Sequence, residues 1–443
     1  MKNLFTFSLL LMAIFIPLSS HGQSWKYLNK DNSNLPVNSI QDIYFDTDQS
    51  VWFCTQDSGL IHYRNGIVNV YNSTTGNGFD ADYVSRIIKD PNGSYWIATE
   101  YHGLYKYADG QFVQYADDGA GHTITYARSL TLQNGGPDNG GSIWVGTWGQ
   151  GLFRFDGTNW SYFDQSSGIL PDNSVLALAA EDDPNSNKSV LWAGTNSGLM
   201  KYDGTAWEAF DVGDLNNPWI NAVSLKDGGF TFGNGQLIIG CEGGELAIYD
   251  GSNWTIFNMA DAWNPNNSVT SLAVDPAGVV WFGQDEEGLG RYDEKSLLSY
   301  YKDNSGITGN NVITVAVRIA GDSTEVWSSV YDNGYRGINI YTEESPTALT
   351  EQRHLPATFS LYQNYPNPFN PSTHIRFSLV KSNATRLTVF NALGQKVRTL
   401  VNRRMAAGNF DIIFDARDLP SGVYFYTLQS GNLRITRKML LLQ

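Results

Sequence analysis

Seven side chains recur at one register of this sequence without sharing a chemistry. Gln56, Glu100, Trp148, Asn196, Glu242, Asp285 and Tyr331 each stand four residues after a hydrophobic anchor. The anchors are Trp52, Trp96, Trp144, Trp192, Ile238, Trp281 and Trp327. A register filled by carboxylates, amides and rings in turn is not set by packing, which would select size and polarity. Its variety suits a surface that reads a ligand. Tyr83, Tyr126, Arg128, Trp219 and Asn221 lie in the segments preceding their anchors, and Tyr101 and His102 directly follow Glu100. Aromatic rings cover the apolar faces of sugars and carboxylates accept hydroxyl hydrogen bonds, so the set is a candidate carbohydrate site.

Two catalytic readings use the same residues. Tyr101 or His102, with Tyr126 and Arg128, could serve a polysaccharide lyase, one group as base and the arginine neutralising a uronate carboxylate. Glu100, Glu242 and Asp285 could instead supply a glycosidase pair, but sequence spacing cannot set a carboxylate separation. Asp285-Glu286-Glu287 is the one candidate for Ca²⁺, although it lacks the alternating acidic spacing of a dedicated loop. No nucleophile elbow, phosphate loop or Cys/His metal spacing occurs, and no cofactor is expected.

What must position these residues is a repeat. Ile143 to Phe163 reads as a strand of β-branched and aromatic residues, a glycine turn, a second strand ending at Asp156-Gly157, and a third strand from Trp160. Successive anchors are 43 to 48 residues apart, the period of a four-stranded propeller blade. Apolar positions such as Ile40, Ile43 and Phe45 before each anchor predict a further, innermost strand. The fold class is therefore all-β: a seven-bladed propeller over residues 24–342. The seventh copy lacks its outer strand, which Trp25-Lys26-Tyr27 can provide, closing the ring. Each anchor tryptophan would bury roughly 150 to 250 Å², about 4 to 6 kcal/mol before entropy is charged.

The pattern Asn38, Ile40, Asp46, Val51-Trp52, Thr55, Gly59-Leu60 and Tyr63 resembles the two-component regulator propeller repeat. That resemblance implies a periplasmic or secreted propeller. No kinase segment follows in this sequence, so a signalling role of its own is not implied.

Residues 1–23 read as a secretory signal peptide, with Lys2 ahead of a short apolar core. Cys54 and Cys241 fall on separate blades and are expected to stay unpaired. The net charge of −15 divides into −23 before Ala357 and +8 from there to the end. An acidic propeller is a poor nucleic-acid partner. No later segment is a candidate transmembrane helix. Residues 343–356 read as a linker. A small immunoglobulin-like β-sandwich is expected over 357–443.

That last stretch is similar to the type A C-terminal sorting domain of type IX secretion substrates. The matching pieces are Asn364-Tyr365-Pro366-Asn367-Pro368-Phe369-Asn370-Pro371, Phe390-Asn391-Ala392-Leu393-Gly394-Gln395, Leu419-Pro420-Ser421-Gly422-Val423-Tyr424-Phe425 and Lys438-Met439-Leu440. The resemblance implies export through the periplasm to the outer cell surface or medium, with the type IX machinery as partner. The expected function is an exported propeller binding an extracellular glycan or protein. A lyase-type enzyme and a purely structural surface module are the alternatives.

Overall fold

A computed structural model describes residues 24–442 except 135, 138–139, 184–185, 187, 214, 216, 232–234, 259–266, 295, 333–334, 345–358, 381–382, 406–407, 418 and 432. The expected signal peptide and most of the expected linker lie outside the described residues. The described chain forms seven four-stranded antiparallel sheets followed by a sheet of three strands and one of four.

Within six of the seven sheets the strands pair in chain order. In blade three these are Ala127–Gln133, Ser142–Thr147, Leu152–Phe155 and Trp160–Phe163, innermost to outermost. The innermost strands neighbour one another around the whole ring, the last against the first. Ser24–Leu28 pairs antiparallel with Tyr335–Glu344, placing Trp25 opposite Tyr341 and giving the seventh blade its outer strand.

The hydrophobic core divides into seven clusters, one per junction between blades. Trp96 packs with Ile143, Val145 and Phe153 of the next blade. Trp144 packs with Leu191, Ala193 and Met200, and Trp327 closes the circle against Val51 and Phe53. Ile238 takes the same place against Val280 and Phe282.

Five of the seven anchors have their indole N–H met by a side chain of the same blade. The indole N–H of Trp96 donates to Asp90 and that of Trp281 to Asp275, both at 3.2 Å. Trp144, Trp192 and Trp327 use Gln133, Glu181 and Glu325. Opposite the anchor on the third strand stand Lys106, Arg154, Lys201 and Arg291, each cation 5.3 to 5.9 Å from its indole centroid. Blade one departs from this. His62 stacks on Trp52 with ring centroids 4.1 Å apart, and Asp46 is occupied by Lys89 and Tyr95 of blade two.

Four blades are also laced through the residue two before the innermost strand: Asn38, Asp82, Asn173 and Asn310. The side chains of Asn38, Asn173 and Asn310 accept the N–H groups of Lys30, Gln165 and Lys302 at 2.7 to 2.8 Å. The carbonyls of Asp82, Asn173 and Asn310 accept from Gly59, Gly151 and Gly288 of the preceding blade at 2.7 Å. Gly59 has φ of +80°, and a Cβ there would sit 2.1 Å from the Tyr71 carbonyl oxygen, so this crossing requires glycine.

The C-terminal sheets form a sandwich around Ile375, Phe377, Leu387, Val389, Tyr426 and Leu428. Of its seven strands, the first, second and fifth make one sheet; the fourth, third, sixth and seventh make the other. This is a Greek-key sandwich of the immunoglobulin class. The sequence predicts strands at 373–379, 385–390, 410–414, 423–428 and a last one ending at Leu442, and misses the fourth strand, Lys396–Met405. Tyr424, near the start of the sixth strand, donates back to the Pro420 carbonyl at 2.8 Å, the corner that pins such sandwiches. Cys54 and Cys241 are buried free thiols.

Candidate functional site

One backbone hydrogen bond, repeated seven times, builds the mouth. The N–H groups of Gln56, Glu100, Trp148, Asn196, Glu242, Asp285 and Tyr331 donate to the carbonyls of Ser39, Tyr83, Tyr126, Ser174, Trp219, Ser268 and Asn311, at 2.9 to 3.3 Å. The variable column is thereby held against the start of each innermost strand, on one end of the ring.

Every innermost strand is also bulged at its second residue. The register skips Gln41, Ser85, Arg128, Leu176, Asn221, Thr270 and Ile313. A bulge re-aims one side chain per blade. Arg128 is the only charged member. Gln41 belongs to the site and was missed in the sequence, because a one-residue bulge leaves no mark in hydrophobic periodicity.

Around Arg128 the predicted residues come together. Its guanidinium donates from Nη1 to the Tyr83 hydroxyl at 3.3 Å and lies 3.7 Å from a Glu100 oxygen. The Trp148 and Tyr83 rings are 5.4 and 5.8 Å from it. Tyr83 in turn donates to Gln41. The Tyr101 and Tyr126 rings meet edge to face at 5.3 Å, as do Trp148 and Trp219 at 6.1 Å. The neighbouring Glu100 carboxylate pushes the Tyr101 hydroxyl above its ordinary pKa. Tyr126 sits at φ of +50°, a conformation unusual for a ring-bearing residue, with its N–H on the Glu100 carbonyl.

A cleft of about 720 Å³ opens here, lined by Asp80, Asp82, Glu100, Tyr101, His102 and Arg128 among others. Glu242 stands apart on blade five, where it accepts from Asn221 at 3.0 Å and Ser268 at 2.9 Å. Burial, then the charges of Glu286 and Glu242, raise the carboxyl pKa of Asp285. On blade seven, Arg336 covers Tyr331 at 4.3 Å. The predicted set is thus one face with two flanks: Glu100, Tyr101, His102, Tyr126, Arg128 and Trp148 on one, Glu242 and Asp285 on the other, with Trp219 joining them through the Trp148 ring and the Glu242 N–H, and Tyr331 on blade seven. Among the described residues no group of three or more His, Cys, Asp or Glu side chains is placed to hold a metal ion.

Fold and tail define a β-propeller protein with an appended sandwich. The sandwich is a secretion system C-terminal sorting domain: residues 363–442 match that family. It directs the chain to the cell surface or the extracellular space by the type IX route, and no helix among the described residues is long and apolar enough to cross a membrane. No curated protein matches the chain. Solved structures give its fold. The extracellular domain of the hybrid two component system BT3049 from B. thetaiotaomicron is 15% identical with a TM-score of 0.55, covering 94% of this chain and 57% of that one. PorZ, a surface component of the type-IX secretion system of Porphyromonas gingivalis, is 16% identical with a TM-score of 0.52, covering 92% and 60%. Virginiamycin B lyase from Staphylococcus aureus, solved with quinupristin, is 13% identical with a TM-score of 0.53, covering 72% and 99%. The chain spans about three-fifths of the length of the first two.

Proposed function

We propose that this exported propeller is a surface binding module whose mouth takes a neutral saccharide in the cleft beside Arg128. One observation carries the reading. Among the described residues, the exposed aromatic side chains of the propeller are Tyr101, Tyr126, Trp148 and Tyr331, and all four stand at the mouth. Exposed rings gathered beside a polar cleft are costly to leave in water and suited to stacking on sugar faces.

Charge narrows the class of sugar. The cleft lining carries Asp80, Asp82 and Glu100 against Arg128, in a stretch before Ala357 of net −23. A polyuronate would meet repulsion there. Arg128, already engaged by Tyr83 and close to Glu100, is poorly placed to neutralise a uronate carboxylate, which weighs against the lyase alternative.

The test is a thermal-shift screen of the full chain against neutral and uronic-acid oligosaccharides, with ultraviolet absorbance followed for unsaturated products. A neutral oligosaccharide at a hundredfold excess over Kd should stabilise by about 2.7 kcal/mol, and Trp148→Ala or Tyr101→Ala should abolish the shift. A preference for uronates, or an absorbing product, would reject the neutral-binder reading. Silence towards every glycan would reject the saccharide itself and leave a protein partner.

A further inference from the structure

The sorting-domain resemblance rests on four sequence pieces scattered over residues 364–440, and the strand registers bring all four to one end of the sandwich. Asn391 faces Tyr424 across the third and sixth strands. Tyr424 faces Met439, and Gly422 faces Leu441, across the sixth and seventh. Phe369 then bridges to Leu441 from the proline-rich piece. The Asn367 side chain accepts the Leu440 N–H at 2.9 Å, and Gln363 donates to the Lys438 carbonyl at 2.7 Å.

These pieces divide sharply by burial. Asn364, Phe369 and Tyr424 are buried and do structural work. Asn364 donates to the Pro366 carbonyl and to Thr373, while its N–H meets the Tyr426 hydroxyl. Leu393 and Tyr365 do the opposite: at 83% and 75% they are the most exposed large apolar side chains among the described residues. Rigid backbone holds both out. Asn391 accepts the N–H groups of Leu393 and Gln395 at 3.0 Å, and Tyr365 exchanges two backbone hydrogen bonds with His374. Pro366, Asn367, Pro368, Gly394 and Lys438 are exposed beside them.

We infer that this end of the sandwich is a single composite docking face, on which Leu393 and Tyr365 are the apolar anchors and Lys438 the charged rim. Its occupant is a protein of the outer-membrane export machinery that presents an apolar pocket edged with carboxylates. Two observations select that partner. The domain is a sorting signal, so it must be read by export machinery. The tail from Ala357 carries +8, and the one carboxylate described near this end, Asp415, is held by Arg417 at 2.9 Å. A fixed apolar pair with a basic flank fits an acidic-rimmed pocket.

The experiment compares full-length variants in a cell whose type IX machinery exports the wild-type chain. The double variant Leu393→Asp with Tyr365→Asp should keep the wild-type melting temperature but fall at least tenfold in surface and medium, accumulating in the periplasm. Leu433→Asp makes the same chemical change at the opposite end of the sheet, where Leu433 is 47% exposed, and should export normally. Wild-type export of the double variant, or an equal block by Leu433→Asp, overturns the inference. Should the double variant fail to fold, Lys438→Glu decides: export reduced several-fold in a folded chain supports the face, and unchanged export overturns it.

Discussion

The propeller and the sorting sandwich store their information differently. In the propeller, what repeats is buried and what varies reaches the mouth to different depths: Trp144 is a fully buried anchor, whereas Trp148, four residues later, is 47% exposed, and Glu100 at the same register is buried. In the sandwich, buried Tyr424 and exposed Leu393 belong to the same family pattern, and nothing in their sequence separates scaffold from surface. Seven copies provide an internal control that a single-copy domain lacks.

The sharpest way to break that comparison uses one residue type twice. Trp144→Ala should cost about 3 to 5 kcal/mol, because it empties a cluster shared with Leu191 and Met200 and strands the Gln133 side chain. Trp148→Ala should move stability by less than about 0.5 kcal/mol while removing ligand binding. Denaturant unfolding of both variants checks this. Equal losses would mean that the variable column is scaffold after all.

The same contrast inside the sandwich is smaller. Tyr424→Phe deletes only the hydroxyl that reaches the Pro420 carbonyl at 2.8 Å, and should destabilise the sandwich by about 1 kcal/mol. Tyr365→Ser, in the same family pattern, should leave its unfolding unchanged. Hydrogen exchange of the sixth-strand amides would register the first and not the second. If both variants loosen that strand, Tyr365 is structural and the exposed half of the pattern shrinks.

Much of this architecture was legible because it recurs. The anchors, the innermost strands, the closing strand at Trp25 and the mouth column all follow from phase. What escaped had no phase to betray it. The bulges at Gln41 and Arg128 displace one residue without altering the apolar pattern around them. Lys106, Arg154, Lys201 and Arg291 look like ordinary surface charges until their strands pair and lay them on indole rings. Asp90 and Asp275 read as turn residues, which they are, yet their second oxygen serves a tryptophan six residues on. The strand Lys396–Met405 hid because its basic residues mask the apolar Val397 and Val401 that pack on the core.

Blade one offers the finest test, since a histidine stands where blades two, three, four and six carry a cation. His62 is stacked on Trp52 and partly buried, and that burial lowers its pKa from the ordinary value. Lowering means that the unfolded chain binds the proton more readily than the folded one. Stability from neutral His62 is therefore complete above the unfolded value of about 6.5 and is lost progressively as pH falls towards the folded value. Lys106, Arg154, Lys201 and Arg291 hold the equivalent position on blades two, three, four and six. His62→Gln should flatten the decline in melting temperature below about pH 6.5 relative to wild type. An unchanged slope would assign the acid sensitivity elsewhere and make His62 equivalent to the cations it replaces.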